Sequence, residues 1–254
     1  MSLKALIFDV DGTLADTEKV GHRVAYNRAF KLLGVDWHWS EAVYGELLAV
    51  TGGKERMKHF VANYAPAIPE GMSLDELIVN IYQTKTKIFN DMLLSGSIQL
   101  RSGVERLFKE AREAGLRLAV ATTTAPSNVE YLLTSNLGKQ ALDWFEVIAA
   151  GDIVENKKPS PEIYQLVLDE MKLRADECLA FEDSENGCQS ATAAGLRVII
   201  TVSSYTADEQ FSGAEMVLDQ LGEPDDITTV INAGARGFRE PMLTVDYLLR
   251  EFAY

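Results

Sequence analysis

Three carboxylates lie close together near the start of the chain, in the sequence "LIFDVDGTLADTE" at residues 6–18. An apolar run precedes Asp9 and Asp11, and Asp16 follows five residues later. Residues i and i+2 of a strand point the same way, so Asp9 and Asp11 are expected on one side of a strand's carboxyl end. Neighbouring carboxylates repel each other, and burying them without a cation is unfavourable. A shared proton or a metal ion is therefore expected at this point.

Familiar phosphate and metal loops do not account for this motif. A calcium loop needs its glycine at the sixth position, whereas Gly12 is the fourth residue counted from Asp9. Neither a Walker P-loop nor a glycine-rich dinucleotide fingerprint occurs in the chain. A simple turn is the remaining alternative for an isolated Asp-x-Asp-Gly, and three further motifs count against it.

Each of the three further motifs has an ordinary explanation when taken alone: a helix cap, a loop, and a second helix cap. Their order along the chain and their places after apolar runs favour one common site, since ligands bind at the carboxyl ends of parallel strands. The motifs are Thr122 before a helix opened by Pro126, Lys157 or Lys158 before Pro159, and the acidic pair Glu182 and Asp183.

Alternating strand and helix patterns are expected to position these residues. Apolar runs at residues 5–8, 116–121, 145–149, 178–181 and 197–202 predict buried parallel strands. Helices lie between them, one predicted to start with a capping box of Ser102 and Glu105 and to end at Gly115. The fold class is therefore α/β, with a doubly wound, Rossmann-like parallel sheet.

Residues 18–92 interrupt this alternation with helical apolar spacing and no convincing strand. We expect a catalytic core formed by residues 1–17 and 93–254, with a helical domain of residues 18–92 inserted after the first strand. The tail after Pro224 is weakly patterned and predicts one short helix at residues 245–252.

Composition and charge exclude several classes of protein. The net charge is −14, and because residues 18–92 hold nine basic and nine acidic residues, the rest of the chain carries all of it. Nucleic acid is not an expected partner, since binding its backbone needs a basic stripe. No apolar run is long enough for a membrane span, so no membrane partner is expected either. We expect a cytoplasmic monomer, or a plastid stromal one if a transit peptide has been removed.

The four motifs together resemble those of the haloacid dehalogenase superfamily, whose pattern matches Asp9–Thr13, Thr122, Lys158 and Glu182–Asp183. The helical insert is similar to the family's C1-type cap. The resemblance implies a Mg²⁺-dependent phosphatase with an aspartyl-phosphate intermediate.

The resemblance also assigns roles to residues. Asp9 would attack phosphorus, and Asp11 would protonate the leaving alcohol and then activate water. Mg²⁺ would bind the Asp9 carboxylate, the Asp11 main-chain carbonyl and Asp183, with Glu182 in an outer position. The phosphoryl group would be held by Gly12, Thr122, Thr123 and Lys158.

Within the superfamily the chain is similar to the CbbY-type branch, which is associated with xylulose 1,5-bisphosphate. That similarity implies that Glu18 and Tyr44 help to hold the sugar. Lys54 and Arg56, which lie next to a Gly52–Gly53 turn, and Lys85 are cations that could bind the second phosphate of a sugar bisphosphate. The expected specificity residues are Glu18, Tyr44, Gly53, Lys54, Arg56 and Lys85. The stretch 19–22 is one residue longer than the branch pattern, so no role is assigned to His22.

Three alternatives remain open on the sequence. A β-phosphoglucomutase has the same core and a similar lysine, but returns the phosphoryl group to sugar. A phosphoglycolate phosphatase is disfavoured, because so small a substrate needs no second cationic cluster. A catalytically silent binding protein of this fold is disfavoured because it is expected to have lost Asp9 or Asp11.

Overall fold

The computed structural model describes residues 2–50, 52–69 and 71–252. The chain divides into two compact units, one of Met1–Asp16 with Gln99–Tyr254 and one of Thr17–Ile98. The boundaries expected from the sequence, 18 and 92, fall one and six residues inside those of the second unit.

A seven-stranded sheet forms the first unit, in the order β3-β2-β1-β4-β5-β6-β7. The first six strands are parallel, and β7 pairs with β6 in the antiparallel direction. The strands are β1 (Ala5–Phe8), β2 (Arg117–Thr122), β3 (Phe145–Ala150), β4 (Cys178–Glu182), β5 (Arg197–Thr201), β6 (Met216–Leu218) and β7 (Val230–Asn232).

The described residues of this unit form five α-helices: α5 (Val104–Glu113), α6 (Pro126–Leu137), α7 (Glu162–Met171), α8 (Glu185–Ala193) and α9 (Val245–Phe252). Ser184 caps α8 by accepting the Gly187 N–H, and Pro126 occupies the first turn of α6. The doubly wound parallel sheet predicted from the strand and helix patterns is confirmed, as is the short helix at Val245–Phe252.

Two details of the sequence prediction are wrong. The capping box at Ser102 does not form, because α5 starts after Gly103, whose φ of +84° and close approach to Leu221 and Gly222 suit a residue without a side chain. The strands β6 and β7 were not predicted, since three residues each are too few to show periodicity.

The second unit consists of helices and contains no strand among its described residues. They are α1 (Arg23–Leu32), α2 (Glu41–Leu47), α3 (Gly53–Tyr64) and α4 (Leu74–Leu94), with a π-helical turn at Glu18–His22 leading directly into α1. Its core is aromatic: the fully buried Trp39 packs against Tyr26, Phe30 and Phe60. Ser73 and Glu76 form a capping box that starts α4.

Aromatic packing also holds β1 against its neighbours. Phe8 stacks on Phe181 with ring centroids 4.6 Å apart and meets the edge of Phe108 at 5.0 Å. Because Phe8 directly precedes Asp9, this packing fixes the end of the strand that carries the first motif.

Replacing Phe108 with Ala is expected to lower the free energy of unfolding by about 3–5 kcal/mol, since the fully buried ring leaves a cavity. Urea unfolding followed by circular dichroism measures the change. Phe108→Leu serves as the control and should lose much less, while a loss below about 1 kcal/mol for Phe108→Ala would contradict the packing described.

Candidate active site

The neighbouring strands β1 and β4 bring the acidic motifs together at the carboxyl edge of the sheet. Phe8 pairs with Phe181 in the parallel register, so Asp9 follows β1 beside the point where Glu182 ends β4 and Asp183 follows it. The chain continues to β2 from one side of this pair and to β5 from the other, which makes it the topological switch point where α/β proteins bind ligands. Carboxylate oxygens of Asp9, Glu182 and Asp183 all lie within 4.8 Å of one another.

Lys158 connects two of these carboxylates. Its Nζ donates to Asp9 Oδ1 at 2.7 Å, to Glu182 Oε1 at 2.5 Å, and to the carbonyl oxygen of Ala121 at 2.8 Å. Lys157, which the sequence left as an alternative, instead pairs with the exposed Asp152. The lysine that reaches the acidic motifs is therefore Lys158.

Burial and repulsion by neighbouring carboxylates disfavour ionisation of Glu182 and Asp183. Burial raises the pKa of Glu182 to about 7 against the opposing effect of Lys158, and burial with the charges of Asp9 and Glu182 raises the pKa of Asp183 well above its usual value. For Lys158, burial alone lowers the pKa, but Asp9 and Glu182 outweigh it and the net shift is upward. The carboxylates of Asp9, Glu182 and Asp183 offer hard oxygen donors within 4.8 Å of one another, and such a set fits a divalent cation such as Mg²⁺.

Two glycines allow the backbone to approach the carboxylates closely. A Cβ built on Gly12, whose φ is +87°, would lie 2.0 Å from Asp183 Oδ2. One built on Gly187 would lie 2.0 Å from Glu182 Oε2. The Gly12 N–H donates to the Ala15 carbonyl at 2.8 Å and so closes the turn. The role of Gly12 that the geometry supports is its close packing against Asp183.

Tyr164 on α7 was not anticipated from the sequence. Its hydroxyl is buried and donates to Glu182 Oε1 at 2.6 Å, the same oxygen that accepts from Lys158. A tyrosine at an apolar helical position is usually part of a core, so its type and spacing did not mark it. Here it satisfies a buried carboxylate and holds it beside Lys158.

The predicted phosphate-binding threonines lie at the same edge of the sheet. Thr122 ends β2, next to β1, and its buried hydroxyl oxygen accepts the Thr124 N–H at 3.3 Å. Thr123 is exposed in the turn that leads to α6. The turn thus presents hydroxyl groups and the start of a helix at the edge where Asp9 lies.

In the helical unit, three of the predicted specificity residues form one network. Tyr44 Oη donates to Glu18 Oε2 at 2.5 Å and accepts from Arg56 Nη1 at 2.9 Å. Arg56 Nη1 also lies 4.0 Å from Glu18 Oε2. A carboxylate, a hydroxyl and a guanidinium are thereby held together, a set that can bind hydroxyl and phosphate groups.

The other predicted specificity residues have different surroundings. Lys54 Nζ lies 5.2 Å from the centre of the Tyr82 ring. A side chain at Gly53 would lie 2.4 Å from the Tyr26 hydroxyl, so the glycine is needed for close packing there. Lys85 is a buried cation rather than a surface base, with its Nζ 2.8 Å from His22 Nδ1.

His22, to which the sequence assigned no role, belongs to this buried group. Burial and then the charges of Lys85 and Arg56 lower the pKa of His22 well below its usual value, so a neutral ring accepts from Lys85. His22 ends the π-helical turn Glu18–His22. The stretch 19–22, which differs in length from the branch pattern, thus lies within a π-helical turn.

Comparison with known proteins identifies the family. Residues 3–195 match the family model described as haloacid dehalogenase-like hydrolase. The chain belongs to this family, and the resemblance inferred from its four motifs is confirmed. Members of the superfamily generally use Mg²⁺.

Among its relatives are CbbY proteins. The chain is 48% identical to protein CbbY of Rhodobacter capsulatus over 221 residues, covering 87% of this chain and 95% of the relative. It is similar to a crystal structure of a CbbY variant from Rhodobacter sphaeroides in complex with xylulose 1,5-bisphosphate, with a TM-score of 0.75, 43% identity, and coverage of 94% and 100% of the two chains. A β-phosphoglucomutase-like structure from Thermotoga maritima matches at 27% identity and a TM-score of 0.68, covering 85% of this chain and 94% of that one.

No helix in the described part of the chain is both long enough and apolar enough to span a membrane.

The raised pKa of Glu182 predicts a pH dependence of stability in metal-free protein. In the folded state Glu182 retains its proton up to a pH of about 7, whereas the unfolded side chain loses it near 4.5. Wild-type stability, measured relative to Glu182→Gln, should therefore fall as pH rises from about 4.5 to 7. Urea unfolding in chelator at several pH values measures this difference; one that is constant or rises with pH contradicts the assignment.

Proposed function

We propose that this protein is a Mg²⁺-dependent phosphatase that hydrolyses a small sugar bisphosphate, such as xylulose 1,5-bisphosphate, through an aspartyl-phosphate intermediate. The observation that carries the proposal is the buried acidic cluster: Asp9 hydrogen-bonded to Lys158 beside Glu182 and Asp183. Family membership and similarity to CbbY proteins support it.

Asp9 is the proposed nucleophile. Its Oδ1 accepts from Lys158, and its Oδ2 faces the Thr13 hydroxyl at 3.4 Å, so the carboxylate is held by both oxygens. A carboxylate attacks a phosphoryl group only when the negative charges on both are shielded. The Lys158 ammonium supplies part of that shielding at the attacking atom.

Asp9, the Asp11 main-chain carbonyl and Asp183 would hold the metal ion, with Glu182 outside the coordination sphere. The outer position proposed for Glu182 is supported by its partners, because its Oε1 already accepts from both Lys158 and Tyr164. Mg²⁺ held by these residues would supply charge neutralisation for the phosphoryl group.

Asp11 is the proposed acid and base. It follows Asp9 by two residues in a turn closed by the Leu14 N–H, which donates to the Val10 carbonyl at 2.9 Å. Its proton passes to the oxygen of the leaving alcohol, and the resulting carboxylate then takes a proton from the water that attacks the phosphorylated Asp9. Thr122 and Thr123 bind the phosphoryl oxygens during both steps.

Substrate selection is proposed to depend on the network of Glu18, Tyr44 and Arg56, together with Lys54. Glu18 and Tyr44 would bind sugar hydroxyls, and Arg56 and Lys54 the second phosphate, because a guanidinium offers paired donors to phosphate oxygens. Lys85 is proposed to contribute through its contact with His22.

Asp9→Asn is expected to abolish turnover while leaving the fold intact, because the amide cannot attack phosphorus. Phosphate release with and without Mg²⁺ is measured for both proteins, and circular dichroism checks the fold. Continued Mg²⁺-dependent phosphate release by the variant excludes the proposed mechanism.

A phosphate-release screen tests the substrate. Sugar bisphosphates, sugar monophosphates and phosphoglycolate are compared by kcat/KM, and xylulose 1,5-bisphosphate is expected to be preferred.

Arg56→Ala should raise KM for the bisphosphate by about 10–100-fold through loss of a charged hydrogen bond, and leave KM for p-nitrophenyl phosphate nearly unaffected. Lys58→Ala is the control, since Lys58 pairs with exposed Asp75 on the same unit. Equal effects on both substrates contradict the proposed second phosphate site.

A further inference from the structure

Arg101 joins several loops at the carboxyl edge of the sheet through one side chain. Its Nη1 donates to the carbonyls of Gly12 and, at 2.9 Å, of Thr201. Its Nη2 donates to the carbonyl of Val202 at 2.6 Å and to that of Asp219. The guanidinium therefore links the turn after β1 to the residues that end β5 and follow β6.

The Gly12 carbonyl, which accepts one of these bonds, belongs to a residue packed closely against Asp183 of the acidic cluster. An added Cβ at Gly12 would lie 2.0 Å from Asp183 Oδ2, so the turn has no room to shift toward Asp183. The main-chain N–H of Arg101 also donates to the Leu14 carbonyl at 2.8 Å, so a second bond joins this residue to the same turn. The turn that carries Asp9 and Asp11 is thus confined between Asp183 and Arg101.

We propose that Arg101 is a positioning residue for catalysis: by binding the Gly12 carbonyl it fixes the turn in which Asp9 and Asp11 are set. The inference rests on the proposed roles of these two aspartates. The Arg101 guanidinium donates to main-chain carbonyls, and it is through its bond to Gly12 that it is proposed to order the turn.

Arginine is better suited than lysine to bind several main-chain carbonyls at once. A guanidinium carries five N–H donors in a rigid plane and can serve several carbonyls in fixed directions, while an ammonium has three donors on one flexible atom. Replacing Arg101 with lysine keeps the charge but breaks some of these hydrogen bonds. The carbonyls that lose their donor are then buried without a partner, which is unfavourable.

A second arginine offers a matched control. Arg106 on α5 donates through Nη2 to the carbonyls of Leu221, Gly222 and Leu243 at 3.3, 2.7 and 3.1 Å. It makes the same kind of contact in the same unit, but none of these partners belongs to the four catalytic motifs. Arg106→Lys therefore measures how the loss of such hydrogen bonds changes the free energy of unfolding, without a change in the catalytic motifs.

The test compares Arg101→Lys, Arg101→Met and Arg106→Lys in the full chain. Urea unfolding measures stability, and calorimetric titration of metal-free protein with Mg²⁺ measures metal affinity independently of turnover. The parameters kcat and KM are measured with p-nitrophenyl phosphate, and hydrogen exchange of peptides covering residues 9–14 reports the order of the turn.

Arg101→Lys is expected to lower kcat about 10–100-fold with little change in KM, to weaken Mg²⁺ binding, and to speed exchange in residues 9–14. Arg106→Lys should lose stability while these readouts stay at wild-type values. Since lysine keeps the charge and most of the volume of arginine, Arg101→Lys decides the test even if Arg101→Met does not fold.

Two results would overturn the inference. If Arg101→Lys retains wild-type kcat and Mg²⁺ affinity, the residue does not act by fixing the turn. If Arg101→Lys and Arg106→Lys lower kcat equally at equal loss of stability, Arg101 is a general structural tie. Failure of the proposed function is separate, because it appears as turnover retained by Asp9→Asn whatever the Arg101 variants do.

Discussion

The contact of the Lys158 ammonium with Asp9 and Glu182 is the interaction on which the site depends. Three carboxylates meet at the switch point of the sheet, where their burial and mutual repulsion are unfavourable. Lys158 offsets part of that charge, and the remaining excess is what makes the cluster suited to a divalent cation and a phosphoryl group. Repulsion among the carboxylates and the proposed affinity of the cluster for a cation have the same electrostatic origin.

The surrounding fold holds these charges at short range. Parallel pairing of β1 with β4 sets Asp9 next to Glu182, and glycines at positions 12 and 187 remove the side chains that would separate backbone from carboxylate. Tyr164 donates to the buried oxygen of Glu182. A sheet supplies the register, and small residues and single hydrogen bonds supply the close approach.

Much of this arrangement was predictable because it is recorded in local patterns. Apolar runs marked five strands, and carboxylates, a threonine and a lysine after those runs marked the site. Tyr164 and Arg101 were not predictable in the same way. Tyr164 has the type and spacing of a core residue, and the partners of Arg101 are main-chain carbonyls of Gly12, Thr201, Val202 and Asp219, which no side-chain pattern reveals. The contact of His22 with Lys85 joins residues 63 positions apart, so only the packed helices show it.

Asp9 is the residue proposed to carry the phosphoryl group during turnover. Rapid acid quenching of wild-type protein during reaction with xylulose 1,5-bisphosphate and Mg²⁺, followed by mass spectrometry of the peptide containing residues 5–15, tests it directly. We expect a transient gain of one phosphoryl group on Asp9, absent when Mg²⁺ is chelated. Turnover without any phosphorylated form of this peptide, or with the group on another residue, would contradict it.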